Sequence, residues 1–303
     1  MSDVYVHTIA PMGTVVTIQV VGHGENAARR EERAEVVARA AAWFDIVEKC
    51  CSRFDPASEL RLLTAKSGEP VRVSPMLFEA IRFALAVAEE SGGAFDPTVG
   101  AVMEGRGFDV NYQTGLSSPS GSADAAGASW RDVLLDDAAM TVTLRKPLVL
   151  DLGAVAKGLA VDVAARVLAP FGDFAVDAGG DLYLGGHNAD GAPWAVGIRH
   201  PREDALIDTL HVSNLAVCTS GDYERRSATD RRVHHIMDAR TGESAADLAS
   251  VTVVAPSAMV ADALATAAFA LGPRDGLQFL DRQGVRGLLV TPSLERIETA
   301  GNP

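Results

Sequence analysis

Two oxygen-bearing side chains, Asp262 and Thr266, occur four residues apart in the segment Ala-Asp-Ala-Leu-Ala-Thr at 261–266. If this segment is helical, a spacing of four places both side chains on one face, one above the other. A hard cation such as Mg²⁺ prefers oxygen ligands and could use both. An acid and a hydroxyl at this spacing are also common by chance, so in isolation an ordinary pair on a helix surface is the default interpretation.

A second candidate is the segment Asp-Leu-Gly-Ala-Val-Ala-Lys-Gly at 151–158, where a buried strand is predicted to join a helix. Such a junction offers free backbone N–H groups and the positive end of the helix, which favour a phosphate group. Lys157 could add a positive charge. The alternative is that Asp151 only caps the helix and Lys157 is solvated, and the spacing favours neither interpretation.

Two glycine-rich segments could form ligand loops or simple turns. The first, Gly-Ala-Phe-Asp-Pro-Thr-Val-Gly at 93–100, is typical of a structural Asx turn when taken alone. The second, Val-Asp-Ala-Gly-Gly-Asp at 176–181, ends a predicted strand, and its paired glycines would allow a ligand to approach closely. In isolation, a tight turn is the default interpretation of the second segment.

Paired histidines occur in His-His-Ile-Met-Asp at 234–238, shortly after the polar segment Thr-Ser-Gly-Asp-Tyr-Glu-Arg at 219–225. A histidine can change its protonation near neutral pH, so either ring could exchange a proton with a substrate. Histidines also serve as packing residues or fixed hydrogen-bonding groups, and this is the alternative for the pair.

Composition excludes several classes of function. The net charge of −13 at pH 7 argues against a nucleic-acid partner, because such binding depends on clustered Lys and Arg. If the protein handles a phosphorylated ligand, a cation must offset the repulsion between phosphates and carboxylates. Charged residues interrupt each apolar run before it reaches the roughly eighteen residues of a membrane helix, so membrane insertion is not expected.

The expected location is the cytoplasm. The N-terminal residues lack the basic start, apolar stretch and cleavage site of a secretory signal. The three cysteines, Cys50, Cys51 and Cys218, make neither a disulfide framework nor a zinc spacing, so reduced and mostly buried thiols are expected.

The predicted elements favour an α+β fold. Strand-like runs dominate the second half of the chain without strict alternation with helices, which argues against a doubly wound fold. A short strand is predicted at 148–150, followed by a helix with Leu159, Val163 and Val167 directed inward. Little periodicity and many small or polar residues predict an exposed loop at 105–129 that could border the site.

Together and in this order, the segments at 93–100, 151–158, 178–181, 219–225, 234–238 and 261–267 resemble the ApbE family of FAD:protein FMN transferases. The resemblance covers nearly the whole chain and implies a single domain at 1–303. It implies an α+β fold related to the T-fold, with packed helices and a smaller subsidiary lobe. The flavin would lie in a cleft between parts of this fold.

The resemblance also implies roles for individual residues. Magnesium would be held by the backbone carbonyl of Ala154 together with Asp262 and Thr266. FAD would be bound by Met12, Phe54, Ala94, Phe95, Asp96, Asp151, Lys157, Gly179, Gly180, Asp181 and Ile236. Phe54 occupies a position that is often tyrosine in relatives, so stacking on the flavin could survive there without a hydroxyl contact.

The reaction implied is attack by a Thr or Ser hydroxyl of an acceptor protein on the FMN-side phosphorus of FAD, with AMP as the leaving group. Lys157 and magnesium would stabilise the diphosphate, and His235 would accept the proton, with Asp238 or Asp181 as competitors. The acceptor would resemble flavin-carrying subunits of membrane electron-transfer complexes or soluble reductases. Two alternatives are a flavin-binding module without transfer and a magnesium-dependent FAD pyrophosphatase.

Overall fold

An antiparallel sheet of eight strands organises the protein in this computed structural model, which describes residues 3–23, 27–110, 115, 117–120, 127–227 and 233–300. The strands, in chain order, are β1 Asp3–Ile9, β2 Val16–Gly22, β3 Pro70–Arg72, β4 Val133–Asp136, β5 Thr141–Leu144, β6 Phe174–Ala178, β7 Asp181–Gly185, β8 Trp194–Arg199, β9 Leu206–Val212, β10 Leu215–Gly221, β11 Met237–Asp238, β12 Glu243–Ser244, β13 Ser250–Ala255, β14 Arg286–Val290 and β15 Arg296–Glu298. The large sheet has the order β1-β2-β6-β7-β10-β13-β14-β15. Smaller sheets are β3-β5-β4, β8-β9 and β11-β12.

The α-helices of the described residues are α1 Ala27–Cys51, α2 Glu59–Thr64, α3 Pro75–Glu90, α4 Gly100–Gly105, α5 Gly153–Leu168 and α6 Ala258–Gln283. Ser74 caps α3 by accepting a hydrogen bond from the Leu77 N–H, and Pro75 follows as the first helical residue. Ser257 caps α6 in the same way, through the Val260 N–H. A backbone break at Gly272, with φ of 82°, ends the first part of α6, as the Gly-Pro pair predicts.

The two faces of the large sheet are covered differently. One face packs against α1, α5 and α6, with α3 packed on these helices, in the main hydrophobic core, which includes Ile18, Val176, Val253 and Phe269. The other face carries a smaller apolar cluster in which Val196 and Leu210 of the β8–β9 hairpin pack on Val217 and Val254. This arrangement is the α+β fold that the sequence predicts, and it places the start of α5 and the middle of α6 beside the ends of β6 and β10.

One local prediction is wrong, and a second is correct only in part. The predicted strand at 148–150 is a buried connecting segment with a single bridge, between Val149 and Val99, because a short apolar run alone cannot distinguish a strand from other buried backbone. In α5, Leu159 and Val167 are half-buried and pack against the main hydrophobic core as predicted, whereas Val163 is half-buried and is not part of that core. The fully buried residues are Val155, Ala156, Gly158, Ala160, Val161, Ala164, Ala165 and Leu168, because neighbours enclose the helix on several sides.

The predicted loop at 105–129 lies partly outside the described residues, which omit 111–114, 116 and 121–126. Of the positions that are described, Phe108 is buried and the others are half-buried or exposed. Among the described residues, no helix combines the length and the apolar character that crossing a membrane requires.

Candidate functional site

A cleft of about 410 Å³ lies where the start of α5, the middle of α6, the β6–β7 turn, the end of β10 and residues 235–237 meet. A narrow extension of about 80 Å³ continues from it past Arg53 and Phe54 to Met12. Most of the sequence-predicted site residues line these two spaces: Met12, Phe54, Phe95, Asp96, Asp151, Ala154, Lys157, Gly179, His235, Ile236, Asp262 and Thr266. Four predicted residues do not line them: Ala94, Gly180, Asp181 and Asp238.

The α6 side of the cleft carries the predicted oxygen pair. Asp262 and Thr266 both face the cleft, together with Ala154 on α5, and the Thr266 hydroxyl lies 3.1 Å from that of Ser220. The Oδ2 atom of Asp262 is buried and has no hydrogen-bond partner among the described residues. Burial raises the pKa of this carboxyl, against the opposing effects of Lys157 and the Gly158 N–H.

These donors suit a hard cation. The Asp262 Oδ2 atom, which lacks a hydrogen bond, lies near the Thr266 hydroxyl and the backbone of Ala154. Mg²⁺ uses oxygen atoms of these kinds together with water and ligand phosphates. Among the described residues there is no group of three or more His, Cys, Asp or Glu positioned to hold a metal ion. A cation at this place would therefore rest on one carboxylate, on neutral oxygens and on its ligand.

Lys157 connects this oxygen pair to a second buried acid. Its ammonium group forms an ion pair with Asp181, and its Nζ lies 3.6 Å from Asp262 Oδ2. Asp181 is only 2% exposed and lies behind the lysine, so it reaches the cleft through Lys157 and not directly.

Paired glycines make the turn between β6 and β7. Gly179 and Gly180 both have positive φ, which a two-residue hairpin turn requires and which L side chains rarely adopt. A Cβ atom on Gly179 would also lie 2.0 Å from the Thr14 hydroxyl. The tight-turn interpretation therefore holds for both glycines, and Gly179 in addition lines the cleft.

A buried arginine organises the opposite wall. Arg53 is 3% exposed, its Nε donates to Asp151 Oδ2, and its Nη2 donates to the Phe108 carbonyl at 2.7 Å. The guanidinium also lies 4.2 Å from the centre of the Phe54 ring. Burial alone would raise the pKa of Asp151, but Arg53 and the Gly153 N–H hold it below its ordinary value.

Asp151 has part of the helix-capping role that was its alternative interpretation. Its Oδ1 accepts a hydrogen bond from the N–H of Gly153, the first residue of α5, although Leu152 occupies the N-cap position. The same carboxylate borders both the cleft and its extension, so capping and ligand contact are compatible at this residue.

The 93–100 segment is an Asx turn. Asp96 Oδ1 accepts hydrogen bonds from the Thr98 N–H and hydroxyl, at 2.8 and 2.7 Å, and its Oδ2 accepts from the Trp130 N–H at 3.0 Å. Burial raises its pKa in spite of these donors. The buried Ala94 contributes its carbonyl to the Ala239 N–H and so holds the 235–239 segment beside the turn.

The two histidines differ in their surroundings. His234 is buried, contacts the Ala245 carbonyl through Nε2 and packs edge-on against Phe269, so the packing interpretation applies to it. His235 lines the cleft, and its Nδ1 lies 3.3 Å from the Arg225 carbonyl. Burial, followed by the charge of Arg225, lowers the pKa of His235 to about 3, which makes its ring neutral at pH 7.

The two remaining predicted acids are both held by cations. Asp238 accepts two hydrogen bonds from the Arg240 guanidinium, each 2.9 Å long, and lies outside the cleft. Asp181 is held by Lys157, as described above.

Sequence reasoning missed two arginines of the site. Arg53 and Arg225 both line the cleft and its extension, although neither was predicted as a site residue. Arg225 ends the 219–225 motif and Arg53 precedes Phe54, so proximity in the chain was the available signal. Other lining residues without a prior prediction include Thr219, Ser220, Glu224, Met103 and Met237.

Known proteins resemble this chain over most of its length. A sequence model of the ApbE family matches residues 12–289. The FAD:protein FMN transferase of Treponema pallidum is 36% identical over 266 residues, covering 80% of this chain and 74% of the relative. That of Klebsiella pneumoniae is 30% identical, covering 96% and 85%. The crystal structure of the ApbE protein from Thermotoga maritima superposes with a TM-score of 0.86 at 32% identity, covering 98% of this chain and 97% of the other.

Proposed function

The chain belongs to the ApbE family, and from that premise we propose that it is a magnesium-dependent flavin transferase that moves FMN from FAD to a Thr or Ser hydroxyl of an acceptor protein. The observation that carries the proposal is the Asp262 Oδ2 atom, which is buried at the cleft beside Thr266, lies 3.6 Å from Lys157 Nζ and has no hydrogen-bond partner among the described residues. A buried carboxylate without a partner is costly unless a ligand completes it. Its relatives are named as FAD:protein FMN transferases, which supports the same activity.

Each polar residue of the α5–α6 wall has a proposed role. Asp262, Thr266 and the Ala154 carbonyl would hold magnesium, which when bound would stabilise charge on the diphosphate. Lys157 contributes a positive charge on the same side, and Asp181 holds its ammonium group in place. Phosphoryl transfer depends on such alignment and charge stabilisation more than on covalent help from the protein.

In the proposed reaction, the acceptor hydroxyl oxygen bonds to the FMN-side phosphorus of FAD as the bond from this phosphorus to the bridging oxygen breaks. AMP leaves with that bridging oxygen. The Arg225 carbonyl can only accept a hydrogen bond, so the neutral His235 ring carries its proton on Nδ1 and keeps a lone pair on Nε2. We assign the hydroxyl proton to this Nε2 atom, because the competitors Asp181 and Asp238 are held by Lys157 and Arg240.

The opposite wall suits the rings of FAD. Phe54, Phe95 and Ile236 present apolar or aromatic surface to the cleft, and Met12 lines its extension. Stacking on such residues stabilises planar rings. Because both halves of FAD would be held, we expect FAD to bind more tightly than FMN in a fluorescence titration, and equal affinities would count against this pose.

The acceptor would be a flavin-carrying subunit of an electron-transfer complex or a soluble reductase. A cytoplasmic enzyme would need an acceptor in the cytosol or with a cytosolic face. The free cysteines Cys50, Cys51 and Cys218 are compatible with a reducing compartment.

The proposal is tested by incubating the protein with FAD, Mg²⁺ and a candidate acceptor, followed by intact mass measurement of the acceptor. We expect the acceptor to gain the mass of one FMN minus water, with AMP formed in step, and an acceptor Thr→Ala variant to gain nothing. AMP and free FMN formed at the same rate without an acceptor would support the pyrophosphatase alternative. Intact FAD with every acceptor tried would leave the binding module.

A further inference from the structure

The helices α5 and α6 meet along a seam with a four-residue period on both sides. On α5 the seam contains Ala154, Gly158 and Asp162, and on α6 it contains Ala258, Asp262 and Thr266. A period of four keeps each set on one helix face. The end of the seam at Ala154, Asp262 and Thr266 lines the cleft, and the end at Asp162 and Ala258 does not.

Asp162 grips the start of α6 with both carboxylate oxygens. Its Oδ1 accepts a hydrogen bond from the Ala258 N–H at 2.7 Å. Its Oδ2 accepts from the Ser257 hydroxyl at 2.6 Å and from the Met259 N–H at 3.0 Å. The first N–H groups of a helix lack partners within the helix and favour a negative charge, so Asp162 satisfies two of them and fixes the helix end.

In the middle of the seam, α5 and α6 leave no room for a side chain at Gly158. A Cβ atom at this position would lie 2.5 Å from the Ala258 carbonyl oxygen and 2.5 Å from the Met259 Cα. The Gly158 N–H also acts on Asp262, because it lowers the pKa of that carboxyl against the effect of burial. The two helix backbones are therefore in direct contact at a point between the hydrogen bonds of Asp162 and the cleft.

We propose that Asp162 is a positioning residue for the cation site, acting through α6 to set where Asp262 and Thr266 lie relative to Ala154. The proposal rests on the proposed function, because that function assigns a cation to these three residues. Asp162 itself touches neither the cleft nor its extension.

The mechanical link is short. Asp262 lies one helical turn, about 6 Å, from the Ala258 N–H that Asp162 holds. Mg²⁺ demands a narrow range of oxygen distances, so a small slide or rotation of α6 changes how well Asp262 and Thr266 complete its coordination. Outer residues that orient metal ligands commonly change metal affinity by about 10–100-fold when they are altered.

The test compares Asp162→Asn with Glu59→Gln in the full-length protein. Asparagine keeps the size of Asp162 but sets a donor NH₂ group against the N–H groups of α6. Glu59 is a matched control, because it similarly accepts hydrogen bonds from the Ser74 N–H and hydroxyl at the start of α3, away from the cleft. Mn²⁺ binding to the FAD-saturated protein is measured by electron paramagnetic resonance, and FAD binding is measured separately in EDTA.

We expect Asp162→Asn to weaken Mn²⁺ binding by about tenfold or more while FAD binding in EDTA changes little. Glu59→Gln should lower the melting temperature without changing Mn²⁺ affinity. If Asp162→Asn does not fold, Ser257→Ala removes one of the three donors to Asp162, and we expect a smaller shift in the same direction.

Unchanged Mn²⁺ affinity in the folded variant would overturn the proposal, and so would an equal loss in Glu59→Gln, which would indicate a general effect of stability. A wild-type protein that binds FAD but no Mn²⁺ would instead refute the magnesium site of the proposed function. The two failures are therefore distinguishable.

Discussion

Two buried aspartates border the cleft, and burial raises the pKa of both, but their hydrogen bonding differs. Asp96 lies in the turn before α4, and three donors from Thr98 and Trp130 engage its two oxygens. Asp262 lies on α6, and its Oδ2 has no hydrogen-bond partner in the part of the chain that the structure describes. The comparison separates a carboxylate that serves the fold from one that is left available to a ligand.

The difference has a physical reason. A buried polar group without a partner costs stability, so folded proteins tolerate few of them unless a ligand, ion or substrate completes the set. At Asp96 the turn supplies two donors from Thr98 and the more distant Trp130 N–H supplies the third, so both carboxylate oxygens are hydrogen-bonded within the fold. At Asp262 the Lys157 ammonium lies 3.6 Å from Oδ2, beyond hydrogen-bond distance, so this buried oxygen has no hydrogen-bond partner among the described residues.

The largest expected effect comes from removing the available carboxylate. We predict that Asp262→Asn lowers the rate of FMN transfer by roughly a thousandfold, about 4 kcal/mol of transition-state stabilisation, because the only carboxylate of the cation site is lost. The free energy of unfolding should stay the same or rise, since an incompletely partnered buried charge is removed and Lys157 keeps Asp181.

Transfer is followed by acceptor mass, and stability by urea denaturation. A variant with normal transfer in Mg²⁺ would remove Asp262 from the site. A variant that loses activity only because it unfolds would mean that Asp262, like Asp96, serves the fold and not a ligand.

The second effect concerns the neutral imidazole ring of His235 in the cleft. We predict that His235→Ala and His235→Asn each slow transfer by roughly a hundredfold while FAD affinity changes much less, because both lack a proton acceptor at the Nε2 position. The asparagine variant keeps a donor for the Arg225 carbonyl, so it controls for loss of that hydrogen bond. Equal losses in transfer rate and in FAD affinity would indicate that His235 only shapes the binding site.

A third effect tests the protonation state of the same ring. Burial lowers the pKa of His235 to about 3, below its ordinary value of 6.5. Between these values the unfolded chain binds a proton that the folded protein does not, so the free energy of unfolding falls as the pH falls from 6.5 towards 3. Above pH 6.5 the residue contributes no pH dependence.

We therefore expect His235→Asn to show a weaker pH dependence of stability, by up to about 1.4 kcal/mol per pH unit in this window. Denaturation at several pH values between 7 and 4 measures it. An unchanged slope would mean that folding does not lower the pKa of His235.

Features with a local cause could be predicted from the sequence. The spacing of Asp262 and Thr266 places both on one face of α6, and Ser257 and the Gly272-Pro273 pair mark the limits of the helix that carries them. Most of the site residues predicted with the help of the ApbE resemblance line the cleft or its extension. Which of them contact FAD or magnesium stays a prediction.

Features that depend on distant partners could not be predicted. Arg53 is defined by Asp151 and by the Phe108 carbonyl, residues 98 and 55 positions away in the chain. Asp181 looks like a ligand residue beside its glycines, but the fold places it behind Lys157. The 148–150 segment is apolar enough for a strand, yet the large sheet does not include it.

The smallest expected effect on transfer comes from Asp96→Asn. An asparagine oxygen can still accept from Thr98, but its NH₂ group would face the Trp130 N–H, donor against donor. We expect this to cost about 1 kcal/mol in the free energy of unfolding, the lower end for one unsatisfied buried group, since two of three hydrogen bonds persist.

The kinetic effect of Asp96→Asn should fall on substrate binding. Because Asp96 borders the cleft and is a predicted FAD contact, the KM for FAD can rise. The kcat of transfer should fall by no more than about threefold, because a group that does not act in the transition state should not lower kcat. Steady-state transfer over a range of FAD concentrations, measured where both proteins are fully folded, separates the two parameters. A kcat loss comparable to that of Asp262→Asn would show that Asp96, a carboxylate fully hydrogen-bonded within the fold, also acts in the reaction. The absence of a hydrogen bond to Asp262 Oδ2 would then not be what distinguishes the catalytically important acid of this cleft.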